Sequence, residues 1–146
     1  MTAMLPFVVS GVFLVLGLWH VSMAVSSSRG APGETAAVPS VIGKPLFVPS
    51  TRATLAVAAG LTLFAALVLA TAGILTTGIP RTVLVWLSYT LAAGLLVRAV
   101  GEFRYLGFFK KVRGSRFATM DTLVYSPLCV LLAFGVSTVA LMQGAK

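Results

Sequence analysis

Four long apolar runs constrain this chain more than any other feature of its sequence. They cover residues 4–26, 53–78, 82–103 and 122–144. A helix needs roughly 20 consecutive apolar residues to cross a hydrocarbon core of about 30 Å, and each run has that length. Charged residues make up 10% of the chain, whereas an ordinary soluble domain carries about 25%. The sequence therefore predicts an all-α fold, an integral membrane bundle of four transmembrane helices.

The four runs leave little of the 146 residues outside the membrane. Besides short ends, the remainder is two loops, 27–52 and 104–121, so we expect a single membrane domain over residues 1–146. The leader "MTAMLPF" has no Lys or Arg, and the first run is longer than the roughly 7 to 15 residues of a signal-peptide core. We therefore expect the first run to be a retained helix.

Lys and Arg are distributed unevenly between the two sides of such a bundle. The two loops on one side hold eight of them, and the other side holds two, Arg81 and Lys146. The positive-inside bias predicts that both loops face the cytoplasm and that both termini lie outside. A net charge of +8 next to apolar spans indicates anionic lipid head groups as partners rather than nucleic acid.

The second loop interleaves its basic residues with aromatic ones. Four apolar side chains recur at i, i+3, i+4 and i+7 and would form one stripe on a helix: Tyr105, Phe108, Phe109 and Val112. A basic helix with such a stripe suits a membrane interface. Gly107 and Gly114 disfavour a helix. Two alternatives therefore stay open, a short interfacial helix between helices 3 and 4 or an irregular basic loop.

The first loop changes character along its length. Its four prolines exclude a regular helix. Residues 27–37 are small and polar, so we expect them to be mobile. Residues 41–48 are apolar, and we expect them to pack on the bundle.

The unusual polar residues of the chain are expected at the cytoplasmic end. Arg98 and Glu102 are four apart and share a helix face, either as a local salt bridge or as part of a binding site. Asp121 opens the fourth run, as a helix cap or as a site residue. His20 is either a proton carrier or a packing residue. The candidate ligand-binding residues are His20, Arg98, Glu102, Arg104, Asp121 and Tyr125.

The start of the fourth helix is ambiguous in the sequence. Ser126 and Pro127 suit the first positions of a helix that would barely span, whereas an earlier start would place a proline kink inside it. Cys129 is the chain's single cysteine and is interpreted as a buried apolar residue. The sequence has no metal-ligand pattern, so we predict no metal site, and it names no cofactor.

Three segments resemble a known family. They are "LWH" at 18–20, "GKPLFVPS" at 43–50 and "VRAVGEFRYLGFFKKVRGSRFATMDTLVYSPLC" at 97–129. They are similar to a family of small four-helix bacterial membrane proteins catalogued as a domain of unknown function. The resemblance implies a fold and no established activity, so it assigns no catalytic residues.

Three functional hypotheses remain. The first is a membrane protein that binds or moves a hydrophobic or anionic small molecule or lipid at the polar cytoplasmic end. The second is a membrane enzyme that uses His20, Glu102 and Asp121 for acid–base chemistry. The third is a non-catalytic subunit, either of a homo-oligomer or of a complex with a partner membrane protein.

Overall fold

Four helices dominate the structure, a computed structural model that describes residues 2–28, 40–41, 44–45, 50–101, 109 and 119–144. They are α1 (Leu5–Ser28), α2 (Thr51–Thr71), α3 (Arg81–Val100) and α4 (Ser126–Gly144). A 3-10 turn, Thr2–Met4, precedes α1, and a π-helical turn, Asp121–Tyr125, leads into α4. All four helical segments are long and apolar enough to cross a membrane. The predicted all-α, four-span fold is confirmed.

The first loop contributes one small described feature. Two residues of β1 (Ser40–Val41) pair antiparallel with two residues of β2 (Lys44–Pro45). The predicted mobility of 27–37, the packing of 41–48 and the interfacial helix within 104–121 lie largely or wholly outside the described residues. These expectations stay predictions.

Consecutive helices run antiparallel. Ser10 of α1 donates a hydrogen bond to the Ala65 carbonyl of α2 at 3.1 Å, whereas Gly17, further along α1, lies against Ala58, further back along α2. Residue 98 of α3 contacts residue 121, and Val85 contacts Gly144. We call the end with Thr2–Met4, the α2–α3 connection and Gly144 the terminal end, and the end with Arg98 and Asp121 the loop end.

The core lies where the α1–α2 hairpin meets the α3–α4 hairpin. Phe13 is fully buried there and packs edge-on against Phe64, with ring centroids 5.8 Å apart. Glycine permits one close approach: a Cβ atom on Gly135 of α4 would lie 2.7 Å from Val9 Cγ2 of α1. Small residues at such contacts let membrane helices approach closely. The outer surface exposes large apolar side chains such as Trp86 and Phe134, as contact with lipid requires.

The second helix is shorter than its apolar run. The predicted span continued to residue 78, but α2 ends at Thr71. Gly73 takes a left-handed conformation, with φ of 76°, and the backbone N–H of Ile74 donates to the Leu69 carbonyl at 2.9 Å. This is the Schellman arrangement that closes a helix at a glycine. Hydropathy overestimated the helix because "AGILTTG" is apolar but contains this stop.

The third and fourth helices also differ from the predicted bounds. α3 ends at Val100 rather than at residue 103, because Gly101 turns the chain with φ of 84°. The residues before Pro127 are helical, but they do not form a regular α-helix. Five residues, Asp121–Tyr125, form a π turn. Pro127 has no N–H and its ring crowds the carbonyl four residues earlier, and the wider π turn accommodates both effects.

Candidate functional site

An ion pair joins α3 to the start of the fourth span at the loop end. Arg98 Nη2 donates a hydrogen bond to Asp121 Oδ1 at 2.9 Å. The Asp121 side chain is 0% exposed and that of Arg98 is 34% exposed. Each charge also suits its helix end, since a cation is favoured in the last turn of α3 and an anion in the first turn of the following helix. The pair is therefore stabilised by both helices that carry it.

The π turn determines which side chains face this pair. The Ser126 backbone N–H donates to the Asp121 carbonyl, five residues earlier. One extra residue in the turn places Asp121 and Ser126 one above the other, and both are 0% exposed. In a regular α-helix, Asp121 would instead share a face with Tyr125, four residues later. Tyr125 is half-buried at the last position of the π turn.

Two polar atoms at this site are shielded from solvent without a hydrogen bond. They are Arg98 Nη1 and Ser126 Oγ, and they lack a partner within the part of the chain that the structure describes. A buried donor or acceptor left unsatisfied costs about 1–3 kcal/mol, and more when the group is charged. An arginine carries five N–H donors in a planar fork, so the site offers hydrogen-bond donors beyond those that Asp121 Oδ1 engages.

A second buried polar group shows what a purely structural arrangement looks like. Thr71 Oγ1 lies 2.8 Å from Ser88 Oγ and donates to the Leu67 carbonyl at 2.8 Å. Both side chains are buried, and neither hydroxyl lacks a hydrogen bond. This pair links α2 to α3, and its hydroxyls need no further hydrogen-bond partner. The Arg98–Asp121 site differs because its hydrogen-bonding capacity is incompletely used by the described residues.

The structure brings some of the predicted site residues together. Arg98 and Asp121 are in contact, and Tyr125 is in the same π turn as Asp121. His20 is half-buried in α1, with Nδ1 2.8 Å from the Leu16 carbonyl of its own helix. Among the described residues, His20 makes no hydrogen bond to Arg98 or Asp121. The remaining two candidates, Glu102 and Arg104, lie outside the described residues.

Two nearby residues were not predicted as part of the site. Ser126 is buried one π turn along from Asp121, and its position next to Pro127 was the one available sequence signal. The Cys129 side chain is half-buried and lies within electrostatic range of Arg98 and Asp121. No group of three or more His, Cys, Asp or Glu side chains in the described ranges is arranged to hold a metal ion.

These features define a class of protein: a small four-span membrane bundle with an ion pair at one end, in which the carboxylate is buried and the guanidinium is partly exposed. The model of the family described as "Protein of unknown function (DUF3995)" matches residues 13–136, and the chain belongs to that family. The matched region contains both members of the ion pair and Ser126. A search of curated proteins and a search of solved structures each found no match.

Proposed function

We propose that this membrane protein binds an anionic small molecule or an anionic lipid head group at the Arg98–Asp121 site. The observation that carries the proposal is the buried Arg98 Nη1, which has no acceptor among the described residues. The buried hydroxyl of Ser126, one π turn along from Asp121, also has no hydrogen bond among them. The positive-inside distribution of Lys and Arg favours the cytoplasmic face of a bacterial inner membrane for this end. Basic residues of the adjoining loops would attract anions to it.

The energetics of buried ion pairs support a role beyond stability. Replacing such a pair by apolar residues of similar size is often neutral or stabilising. Ionisable residues within membrane segments are costly and mark binding sites or ion pathways by default. Asp121 is completely buried, so burying its carboxylate costs the free energy of removing the charge from water. A ligand that is held by Arg98 accounts for that cost better than helix packing does.

The geometry also favours the chemistry of the ligand. Nη2 is directed to Asp121, whereas Nη1 remains available to a second acceptor. A phosphate or carboxylate oxygen accepts strong charge-assisted hydrogen bonds from a guanidinium, and the Ser126 hydroxyl can donate to a second oxygen. Because Arg98 lies in the last turn of the membrane-spanning α3, an amphiphile could place its charged head here and keep its apolar part in the bilayer.

Native mass spectrometry of the full chain tests the proposal. The protein is extracted with its lipids retained, and bound mass is compared between wild type, Arg98→Gln and the control Arg52→Gln. Arg52 is an exposed arginine near the start of α2, at the same end of the bundle. Loss of a hydrogen bond to a charged group, about 1.5–3 kcal/mol, corresponds to a loss of affinity of roughly tenfold to a hundredfold.

The expected result is an anionic adduct on wild type and on Arg52→Gln that is depleted on Arg98→Gln. Equal depletion in both variants would show that only the general positive charge of this end attracts anions. Retention of the adduct in Arg98→Gln would place the ligand elsewhere. Arg98→Lys separates charge from geometry, since lysine keeps the charge and lacks the planar fork.

A further inference from the structure

A cavity of about 560 Å³ opens at the terminal end, between α3 and α4. Its size lies within the range of about 300–1,000 Å³ that is usual for small-molecule sites. It is lined by polar, aromatic and apolar side chains, among them Arg81, Val85, Trp86, Tyr89, Leu141 and Gln143. None of these residues belongs to the Arg98–Asp121 site, which lies at the opposite end of the bundle.

The cation in this cavity is not balanced by a described acid. Arg81 is exposed and makes no ion pair within the described residues. It is also the first residue of α3, where the helix dipole places positive rather than negative partial charge. The chain has three acids, Glu34, Glu102 and Asp121. The one that the structure describes, Asp121, lies at the loop end, so the positive potential around Arg81 favours an anion.

Gln143 of α4 forms part of the wall of the cavity across from α3. The Gln143 side chain donates from Nε2 to the Ala72 carbonyl at 3.3 Å. Its Oε1 atom is shielded from solvent and has no donor among the described residues. An anion alone would leave this oxygen unsatisfied, because an anion brings acceptors and not donors. The ligand that fits both walls carries a negative charge and also a hydroxyl group.

The remaining lining indicates an amphiphile. Trp86 is 67% exposed on the lipid-facing surface and packs edge-on against Tyr89, with ring centroids 6.1 Å apart. Tryptophan and tyrosine are the side chains that mark the level of lipid head groups. Leu141, which is also exposed, and Val85 continue the lining with apolar surface. The cavity is therefore polar at its charged wall and apolar where it meets the bilayer.

We propose that this cavity binds an anionic phospholipid whose head group carries hydroxyl donors, with the phosphate on Arg81 and a hydroxyl on Gln143 Oε1. Phosphatidylglycerol has this chemistry. The lipid would occupy the leaflet at the terminal end, so this site is independent of the proposed function at the loop end. The two sites can be tested separately because the chain's two tryptophans, Trp19 and Trp86, lie toward opposite ends of the bundle.

Fluorescence quenching at Trp86 tests the proposal. The Trp19→Phe variant of the full chain, in which Trp86 is the single tryptophan, is placed in phosphatidylcholine vesicles that contain a small fraction of a brominated lipid. A cationic side chain near an anionic membrane surface contributes roughly 1 kcal/mol, so brominated phosphatidylglycerol should be enriched about fivefold over brominated phosphatidylcholine at Trp86. Arg81→Gln should abolish this enrichment, and the control Arg52→Gln should leave it unchanged.

Two further arms examine the hydroxyl and the source of the ligand. Brominated phosphatidylmethanol has the same charge without hydroxyls, so it should be enriched less than phosphatidylglycerol, and Gln143→Leu should remove that difference. Excess glycerol phosphate in the aqueous phase should leave the enrichment unchanged if lipid is the ligand. Equal quenching by all the brominated lipids, enrichment that survives Arg81→Gln, or its loss on addition of glycerol phosphate would each overturn the proposal.

Discussion

Removing the two members of the buried ion pair should have unequal effects on stability. Arg98→Met leaves the completely buried Asp121 carboxylate without the guanidinium charge, which should cost about 3 kcal/mol, the low end for breaking a buried pair. Asp121→Asn leaves a guanidinium that is already 34% exposed and can turn toward water. Because solvent screens an exposed charge, that cost should be only about 1 kcal/mol. The predicted difference is about 2 kcal/mol, with Arg98→Met the less stable variant.

Reversible unfolding in mixed micelles, followed by far-ultraviolet circular dichroism, measures both variants and the Arg98→Met/Asp121→Asn double variant. The double variant should be less destabilised than the sum of the single ones, because the buried carboxylate that loses the guanidinium in Arg98→Met is absent from it. Arg52→Met provides the control for the loss of an arginine at the same end. Equal costs for the two single variants, or a cost for Arg98→Met no greater than for Arg52→Met, would refute the burial argument.

Three further predictions concern the bundle itself. Gly135→Ala should destabilise by about 1–3 kcal/mol through overpacking, since its Cβ would lie 2.7 Å from Val9 Cγ2; unfolding measurements should show that Val9→Ala relieves this cost, and additive costs would contradict the predicted contact. Gly73→Ala should cost about 1–2 kcal/mol at its left-handed position, whereas Gly78→Ala should be near neutral; a thermal melt that ranks them equally would exclude the proposed helix stop. A reporter enzyme that works only outside the cytoplasm should be active when it is fused at Lys146. Activity of a reporter that works only in the cytoplasm would contradict the predicted orientation.

The number of helices could be predicted from the sequence, but not all of their ends. Hydropathy records which residues suit the membrane, so it identified all four spans. It does not record backbone conformation, and so it carried the second span past Gly73, where a left-handed residue closes α2. The same limit applies to Gly101 at the end of α3. The proline at 127 indicated an irregularity, whereas the π turn that absorbs it depends on backbone geometry.

The candidate site was only partly visible in the sequence for a related reason. Topology alone indicated that Arg98 and Asp121 lie at one level, and the structure shows them in contact at 2.9 Å. Helical periodicity could not place Ser126 beside Asp121, because the regular spacing of side chains fails across a π turn. His20 was expected at the same level, but its ring hydrogen-bonds within α1. Shared depth in the membrane predicts proximity and does not determine which side chains meet.

We propose that Arg98 Nη1 holds an anion while Nη2 stays bonded to Asp121, whose negative charge weakens anion binding. Titration of the full chain with short-chain phosphatidylglycerol tests it most directly, in an Arg81→Gln background so that the terminal end does not contribute. We predict opposite effects: affinity falls at least tenfold in Arg98→Gln, and it rises in Asp121→Asn, because removal of a neighbouring negative charge favours the anion. A parallel fall in both variants, or no change in either, would contradict the account and leave the pair as a helix contact.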